Sequence, residues 1–506
     1  MKIHLSTWLA AGALAIGGAQ LTVAPLHGAA ASRRSVEARW EQSIVSIEAT
    51  RMAYNYRLPW TKENRSFIKT GVVIGPREIL TAAEDLYDRS LVRVQKSGRG
   101  QYWTAEVAWV DYHANLAVLT VADEAFWKGL RPVELLATAP HKEDLNVARW
   151  RNANLEIRPV EFSQYFVDDA RLSTVPALYL EFDSDMSNIG NSVPVISGGK
   201  LAGLTCQQVD NHLRAIPSAF IRAVLAARKT GYRGLGYFPF YWQPTQNTAT
   251  HQYLKLPGEP RGVVVIFVPV LPEVPENLQP LDIILQVDGF DIDVQGRYKD
   301  PDFGQLILEN LATRQKFAGD IVRLKIWREG RVQFLNYRLP RFDYQSKLVP
   351  DHSFDQEPEY IIAGGLVFQP LIKPFLRSFG AEWQRNAPFR LSYYDKLFPT
   401  PERPGVVLLS LVLPDAYNLG YQDLRLLVVE KVNGQPVRHL SDLQQALQRP
   451  VKGYHRIEFA QSDAVRKIVL DAAEMEAANA RIQERYNIPK IANLAGPKAQ
   501  SPATGP

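Results

Sequence analysis

The turn Gly190-Asn191-Ser192 holds the serine whose setting most suggests covalent chemistry. A hydroxyl attacks a carbonyl efficiently only under three conditions. A base must take its proton, a further group must hold that base in one orientation, and backbone N–H groups must receive the developing negative charge. Four side chains are candidate partners. Glu84 is a carboxylate base if burial raises its pKa. His113 reads as a solvent-exposed turn histidine, with a swing toward Ser192 as the alternative. Lys200, just past Gly198-Gly199, reads as a solvated hairpin residue, with a Ser–Lys pair as the alternative. Cys206 closes the strand-like "LAGLTC" and reads as core rather than nucleophile. The two residues after Ser192 are Val193 and Pro194, which stiffen the turn where oxyanion donors would have to be presented.

The chain that must position these groups has 506 residues, enough for about three domains. Hydrophobic residues make up 46% and charged residues 22%, so a sizeable core is expected. A net charge of +5 spread over this length, without a basic block, gives no footprint for nucleic acid. One cysteine excludes an intramolecular disulfide, no Cys/His cluster has zinc spacing, and neither metal nor cofactor is expected. Met1-Lys2, the apolar run Trp8 to Val23 and then Ala29-Ala30-Ala31 form the pattern of a secretory signal over residues 1–31. No later window is long and apolar enough to span a bilayer. The mature protein is therefore expected in the periplasm or outside the cell, without a transmembrane segment.

From residue 36 to 230 the sequence reads as short strands parted by turn residues, the cue for an all-β barrel or sandwich. A helical run, Ile216 to Gly231, closes this region, with Phe220, Val224 and Leu225 on one face. A second block, residues 232–343, contains "RGVVVIFVP", "LQPLDIILQVDG" and a helical "FGQLILENLATRQ". A third, residues 358–470, repeats part of that order with "PGVVLLSLVLP", "LLVVEKVNGQPV" and a helical "LSDLQQALQ" about 145 residues further on. Residues 471–506 begin as a polar helix and end in "LAGPKAQSPATGP", too poor in apolar residues to pack.

Together these pieces resemble the HtrA/Deg family, in its plant-type branch. "TGVVIGPREILTAAEDL", "VDYHANLAVLTV" and "GNSVPV…GGKLAGL" are similar to the stretches around the catalytic histidine, aspartate and serine. "GLGY" with the strands after it resembles a PDZ domain, and "EYIIAGGLVFQPLIKPFL" resembles the start of the second PDZ-like domain of that branch. The likeness covers about residues 36–470. It implies a mainly β protein, a trypsin-like double β-barrel followed by two PDZ-like α+β domains, and a homo-oligomer.

Carried over position by position, the likeness puts Glu84 in the histidine's place, Asn115 in the aspartate's place and Ser192 at the nucleophile. In a trypsin-like site, changing only the aspartate to asparagine costs about 10⁴ in rate. With two of three members replaced, Ser192 is expected to be inert. The first PDZ-like block keeps more of its physics. Arg233, Gly234, Leu235, Gly236 and Tyr237 are the candidate loop for capturing a polypeptide C-terminus by strand addition, with a plain glycine turn as the alternative. The second block, where Gly364-Gly365 precede Leu366 and Pro370 shortens the strand, reads as a docking module. Three functions stay open: a polypeptide-binding pseudoprotease, an active serine endopeptidase with an unusual base, and a structural envelope protein with oligomerising PDZ-like units.

Overall fold

The structure is a computed structural model that describes residues 39–140, 142, 144–270, 274–275, 277–461 and 465–494. The expected signal, residues 1–31, and the end of the tail lie outside the described residues.

Two seven-stranded antiparallel sheets build the first unit. The first holds β1 (Ile44–Tyr54), β2 (Lys62–Gly75), β3 (Glu78–Thr81), β4 (Arg89–Lys96), β5 (Tyr102–Thr104), β6 (Glu106–Asp111) and β7 (Leu116–Thr120), in the order β5-β4-β1-β2-β3-β7-β6. The second holds β8 (Asn146–Arg151), β9 (Asn154–Pro159), β10 (Glu161–Asp169), β11 (Pro176–Asp183), β12 (Pro194–Ser197), β13 (Lys200–Val209) and β14 (His212–Pro217), in the order β10-β11-β14-β13-β12-β8-β9. These are the two barrels of the trypsin-like fold. One apolar cluster joins them, with Trp40, Leu80, Trp109 and Leu116 from the first sheet region and Ile196, Leu204, Cys206 and Ile216 from the second. Helix α1 (Ser218–Thr230) closes the pair and ends at Gly231, whose φ of 107° is a left-handed stop. Phe220 and Val224 are buried as expected, joined by Ile221, while Leu225 packs at the edge of the cluster.

The next unit pairs β15 (Tyr241–Pro244), β16 (Val263–Phe267), β17 (Ile283–Val287), β21 (Ile321–Arg328) and β22 (Arg331–Arg338) in that order, with β18 (Phe290–Asp291) on β17. The hairpin β19 (Arg297–Asp300) and β20 (Gly304–Ile307) lies apart from it. The helix expected over "FGQLILENLATRQ" is not formed. Phe303 precedes β20, and only Leu308–Ala312 turn, as a 3₁₀ segment. Leu306 and Leu308 are both buried at a spacing of two, so the alternation there is a strand's rather than a helix's. This unit is docked on the second barrel: Leu178 of β11 belongs to its core, and the rings of Tyr165 and Phe303 lie 4.9 Å apart.

The last unit is an eight-stranded sheet of β23 (Tyr360–Ala363), β24 (Leu366–Pro370), β25 (Val407–Val412), β26 (Leu427–Val432), β27 (Gln435–Pro436), β28 (Tyr454–Phe459), β29 (Lys467–Asp471) and β30 (Ala492–Asn493). Helix α2 (Lys373–Arg377) precedes β25, and α3 (Leu440–Leu447) keeps the helix expected there. The stretch read as a polar extension is instead part of this unit. Helix α4 (Met475–Arg485) buries Met475, Ala478 and Ile482, and β30 pairs with β23 through Tyr360↔Asn493 and Ile361↔Ala492. Only a narrow apolar stripe on an otherwise polar helix carries this packing, which is why composition hides it.

Candidate active site and the cleft beside it

The loop Ala82–Glu84, leaving β3, brings the three expected positions together. Ser192 Oγ accepts from the Ala82 N–H at 2.8 Å, Asn115 O from the Ala83 N–H at 3.1 Å, and Asn115 Oδ1 from the Glu84 N–H at 2.9 Å. None of these contacts is that of a nucleophile with its base. The serine oxygen is an acceptor tied to the backbone, and Ser192 is fully buried at 0% exposure.

The turn around Ser192 is closed by its own hydrogen bonds. The Ser192 N–H donates to the Thr205 carbonyl at 2.7 Å, and the Val193 N–H donates to Thr205 Oγ1 at 2.9 Å. Thr205 Oγ1 in turn donates to the Gly190 carbonyl at 2.9 Å. An oxyanion hole needs N–H groups aimed at empty space where charge will develop; both of these are spent. Val193 sits in the second-barrel core at 1% exposure, and Pro194, without an N–H, opens β12. These two residues draw the turn inward.

Where a histidine would swing, an ion pair is fixed. Glu84 Oε1 accepts from Arg171 Nε at 2.9 Å, while Oε2 is buried without a hydrogen bond. Burial raises the Glu84 pKa, and Arg171 works against that rise. Behind it lies Lys69, whose Nζ donates to the carbonyls of Ala82, at 2.7 Å, and Glu84. Burial lowers its pKa to about 8. On β2 the alternation points Lys69 inward, at 4% exposure, and leaves Ile68 outside at 79%. The sequence reading missed Lys69, Arg171 and Thr205. A lysine inside the apolar run "FIKTGVVIG" is a signal for the first; Arg171, on an irregular loop, carries none.

His113 is not the exposed turn residue expected. Its ring stacks on Tyr344 at 3.9 Å, meets Phe342 edge-on at 5.0 Å, and its Nδ1 lies 2.8 Å from Ser173 Oγ. Burial lowers its pKa to about 4, so it is neutral, and its partners are Ser173, Phe342 and Tyr344 rather than Ser192. Its ring partners, Phe342 and Tyr344, begin the segment joining the two PDZ-like units. That strap continues through His352 and Phe354 to Asp355, which exchanges hydrogen bonds of 2.8 Å with Asp88 in both directions. Lys200 pairs with Glu134 at 2.8 Å on its turn, and Cys206 is buried, its thiol pushed up to about 12.

Between the β1–β2 hairpin, the strap and α2 lies a cleft of ≈ 890 Å³ that reaches Glu84 and Arg171 but is not lined by Ser192. Among the described residues no group of three or more His, Cys, Asp or Glu is placed to hold a metal ion. No helix among them is long and apolar enough to cross a membrane.

The expected peptide loop is placed differently from the sequence reading. Arg233 is exposed and pairs with Asp320 at 2.7 Å, but Gly234, Leu235 and Gly236 are buried. Leu235 packs into the inter-barrel cluster, with Tyr237 at its margin, rather than lining an open pocket. A side chain on Gly236 would lie 2.8 Å from Leu339 Cβ, and one on Gly234 3.2 Å from Arg341 Nε. The glycines do allow close approach, but of the chain's own strand. In the last unit Gly364 and Gly365 make the β23–β24 turn beneath Tyr417 and Asn418.

Residues 349–492 match the family model of a PDZ domain. Protease Do-like 2, chloroplastic, of Arabidopsis thaliana is 26% identical over 474 residues, covering 90% of this chain and 75% of that protein. Protease Do-like 4, mitochondrial, of the same plant is 27% identical over 431 residues, covering 83% and 78%. Among solved structures, an HtrA-type protease AlgW with decapeptide is 16% identical, covers 61% of this chain and 98% of its own, and has a TM-score of 0.46. Likeness to Do-like proteases along nearly the whole chain, together with the PDZ domain where the last sheet lies, supports membership of the HtrA/Deg family.

Proposed function

We propose that this chain is an exported, polypeptide-binding member of the family that does not hydrolyse peptide bonds. One observation carries the reading: the Ser192 hydroxyl and the N–H groups of Ser192 and Val193 are all committed to internal hydrogen bonds, with both residues buried. A base swung into place would find a nucleophile whose own N–H, one of the two donors of a trypsin-like oxyanion hole, is already bonded to the Thr205 carbonyl. Export rests on the apolar leader and Ala29-Ala30-Ala31. Binding rests on the PDZ architecture, which recognises chains by strand addition and needs no triad. In the first PDZ-like unit the edge strand β15 pairs with β16 on one side only. A fluorophosphonate probe tests the first half, since only an activated serine reacts: the mature protein is expected to stay unlabelled and to leave casein intact. Titration calorimetry with hydrophobic C-terminal peptides tests the second, with a dissociation constant on the order of micromolar expected, about −8 kcal/mol.

A second reading, a structural protein whose PDZ-like units only hold an assembly together, draws on β30. The strand-addition edge of β23 is already filled by the chain's own residues 492–493. Binding of a free peptide would set that reading aside.

A further inference from the structure

The cleft beside the closed serine is walled by cations and rings. Arg51, Arg171 and Arg377 line it from three different parts of the chain, with Tyr87, His352 and Phe354 between them. Arg171 is engaged by Glu84, and the Arg51 guanidinium lies over the Tyr87 ring at 4.3 Å while its Nε makes no hydrogen bond. Among the described residues, Arg377, on the last turn of α2, has neither an ion pair nor a hydrogen bond to its guanidinium. It is reachable by solvent yet enclosed by the cleft walls, whose burial lowers its pKa; the charges of Asp351 and Asp395, both already paired with Lys373, favour its cation, and Arg171 opposes it. The other charges are accounted for: Lys62 pairs with Glu357, Arg65 with Glu63, and Asp88 is raised to about 7 by its burial.

We infer that this cleft is a carboxylate-binding site, with Arg377 as the principal free fork and Arg51 as the second, taking a carboxylate of a polypeptide, either its C-terminus or an acidic side chain. A guanidinium presents parallel N–H donors that match a carboxylate in a bidentate pair, and such a pair is stronger where walls exclude part of the water. The volume lies in the range of sites that enclose a small molecule or a few residues of chain. Flanking rings offer stacking area to whatever carries the charge. The inference rests on the polypeptide-binding reading above, but it places the contact in the barrel cleft rather than on a PDZ sheet edge.

Three fluorescein-labelled peptides of one sequence test it on the full mature chain by anisotropy. One has a free C-terminus and no acidic residue, one is amidated with a single internal Glu, and one is amidated with Gln in that place. The first, the second or both are expected to bind, the pattern naming the source of the carboxylate, and the third to bind at least about tenfold more weakly. Arg377→Gln is expected to abolish the difference, and Arg377→Lys to restore part of it. Because Arg377 is exposed and unpaired, neither variant should alter folding, which the melting temperature checks. Equal binding of all three peptides, no binding of any, or full affinity in Arg377→Gln would overturn the carboxylate site. Retained binding in Arg377→Gln would leave the polypeptide-binding reading standing, whereas fluorophosphonate labelling of Ser192 would remove the non-hydrolytic reading without touching this one.

Discussion

The two ends of the constellation around Glu84, Asn115 and Ser192 are built in opposite ways. At the serine end, Val193 and Thr205 seal the turn, and the Ser192 hydroxyl is left fully buried. At the Glu84 end, a buried carboxylate held by a half-exposed arginine opens onto a cationic cleft. The contrast teaches that closing one end of a constellation need not close the other. A hydroxyl without a base is worth more to the fold as a backbone acceptor, whereas a cleft lined by charge stays available to a ligand.

The largest effect that would sharpen this contrast is expected at Arg171. Arg171→Ala leaves Glu84 buried and unpaired, and should cost about 3 kcal/mol at pH 8, the low end for breaking a buried pair because Arg171 is half exposed. The loss should shrink toward pH 5, since the Glu84 pKa is already raised and protonation relieves the burial. Denaturant melts at the two pH values check both statements. Next comes Asp88, whose carboxyl is lifted from the ordinary range to about 7 by burial. The folded state then holds a proton that the unfolded chain releases, so this group's contribution to stability falls as pH rises from about 4 to 7. Asp88→Asn keeps the oxygen that accepts from the Asp355 N–H and should flatten that slope by about 2 kcal/mol, a value discounted from the full shift. An unchanged slope would show the strap to be indifferent to this proton.

Smaller still is Ser192→Ala, which strips the Ala82 N–H of its acceptor and should cost about 1 kcal/mol of stability while leaving peptide binding unchanged. A lost binding activity at unchanged stability would reopen the serine end. The smallest effect is a null: Glu84→His together with Asn115→Asp should give no casein hydrolysis, because neither change frees the N–H groups that Thr205 consumes. Turnover at a rate typical of a protease would show that the turn opens in solution.

Local signals in the sequence determined a good deal. Period-two runs and turn residues gave an all-β barrel or sandwich, Gly231 gave the stop of α1, and the likeness of the stretches around Glu84, Asn115 and Ser192 to those of the family implied that these residues share one place. Val193-Pro194 was legible as a fault in the turn. What depended on contacts far apart in the chain was not legible. Whether Gly234 and Gly236 receive a ligand or their own Leu339 and Arg341 is decided some hundred residues away. Whether "FGQLILENLATRQ" is helix or strand was decided by burial against the second barrel, which overrides a weak local preference. The polar-looking segment after residue 471 packs because its few apolar side chains meet Tyr360 and Ile362. His113 is buried because a strap more than two hundred residues on lays Tyr344 over it, and the same strap closes the cleft in which Arg377 meets Arg171. Residue types set what each position was able to do; only the tertiary structure decided which groups would be left without a partner, because pairing is a property of neighbours in space and not along the chain.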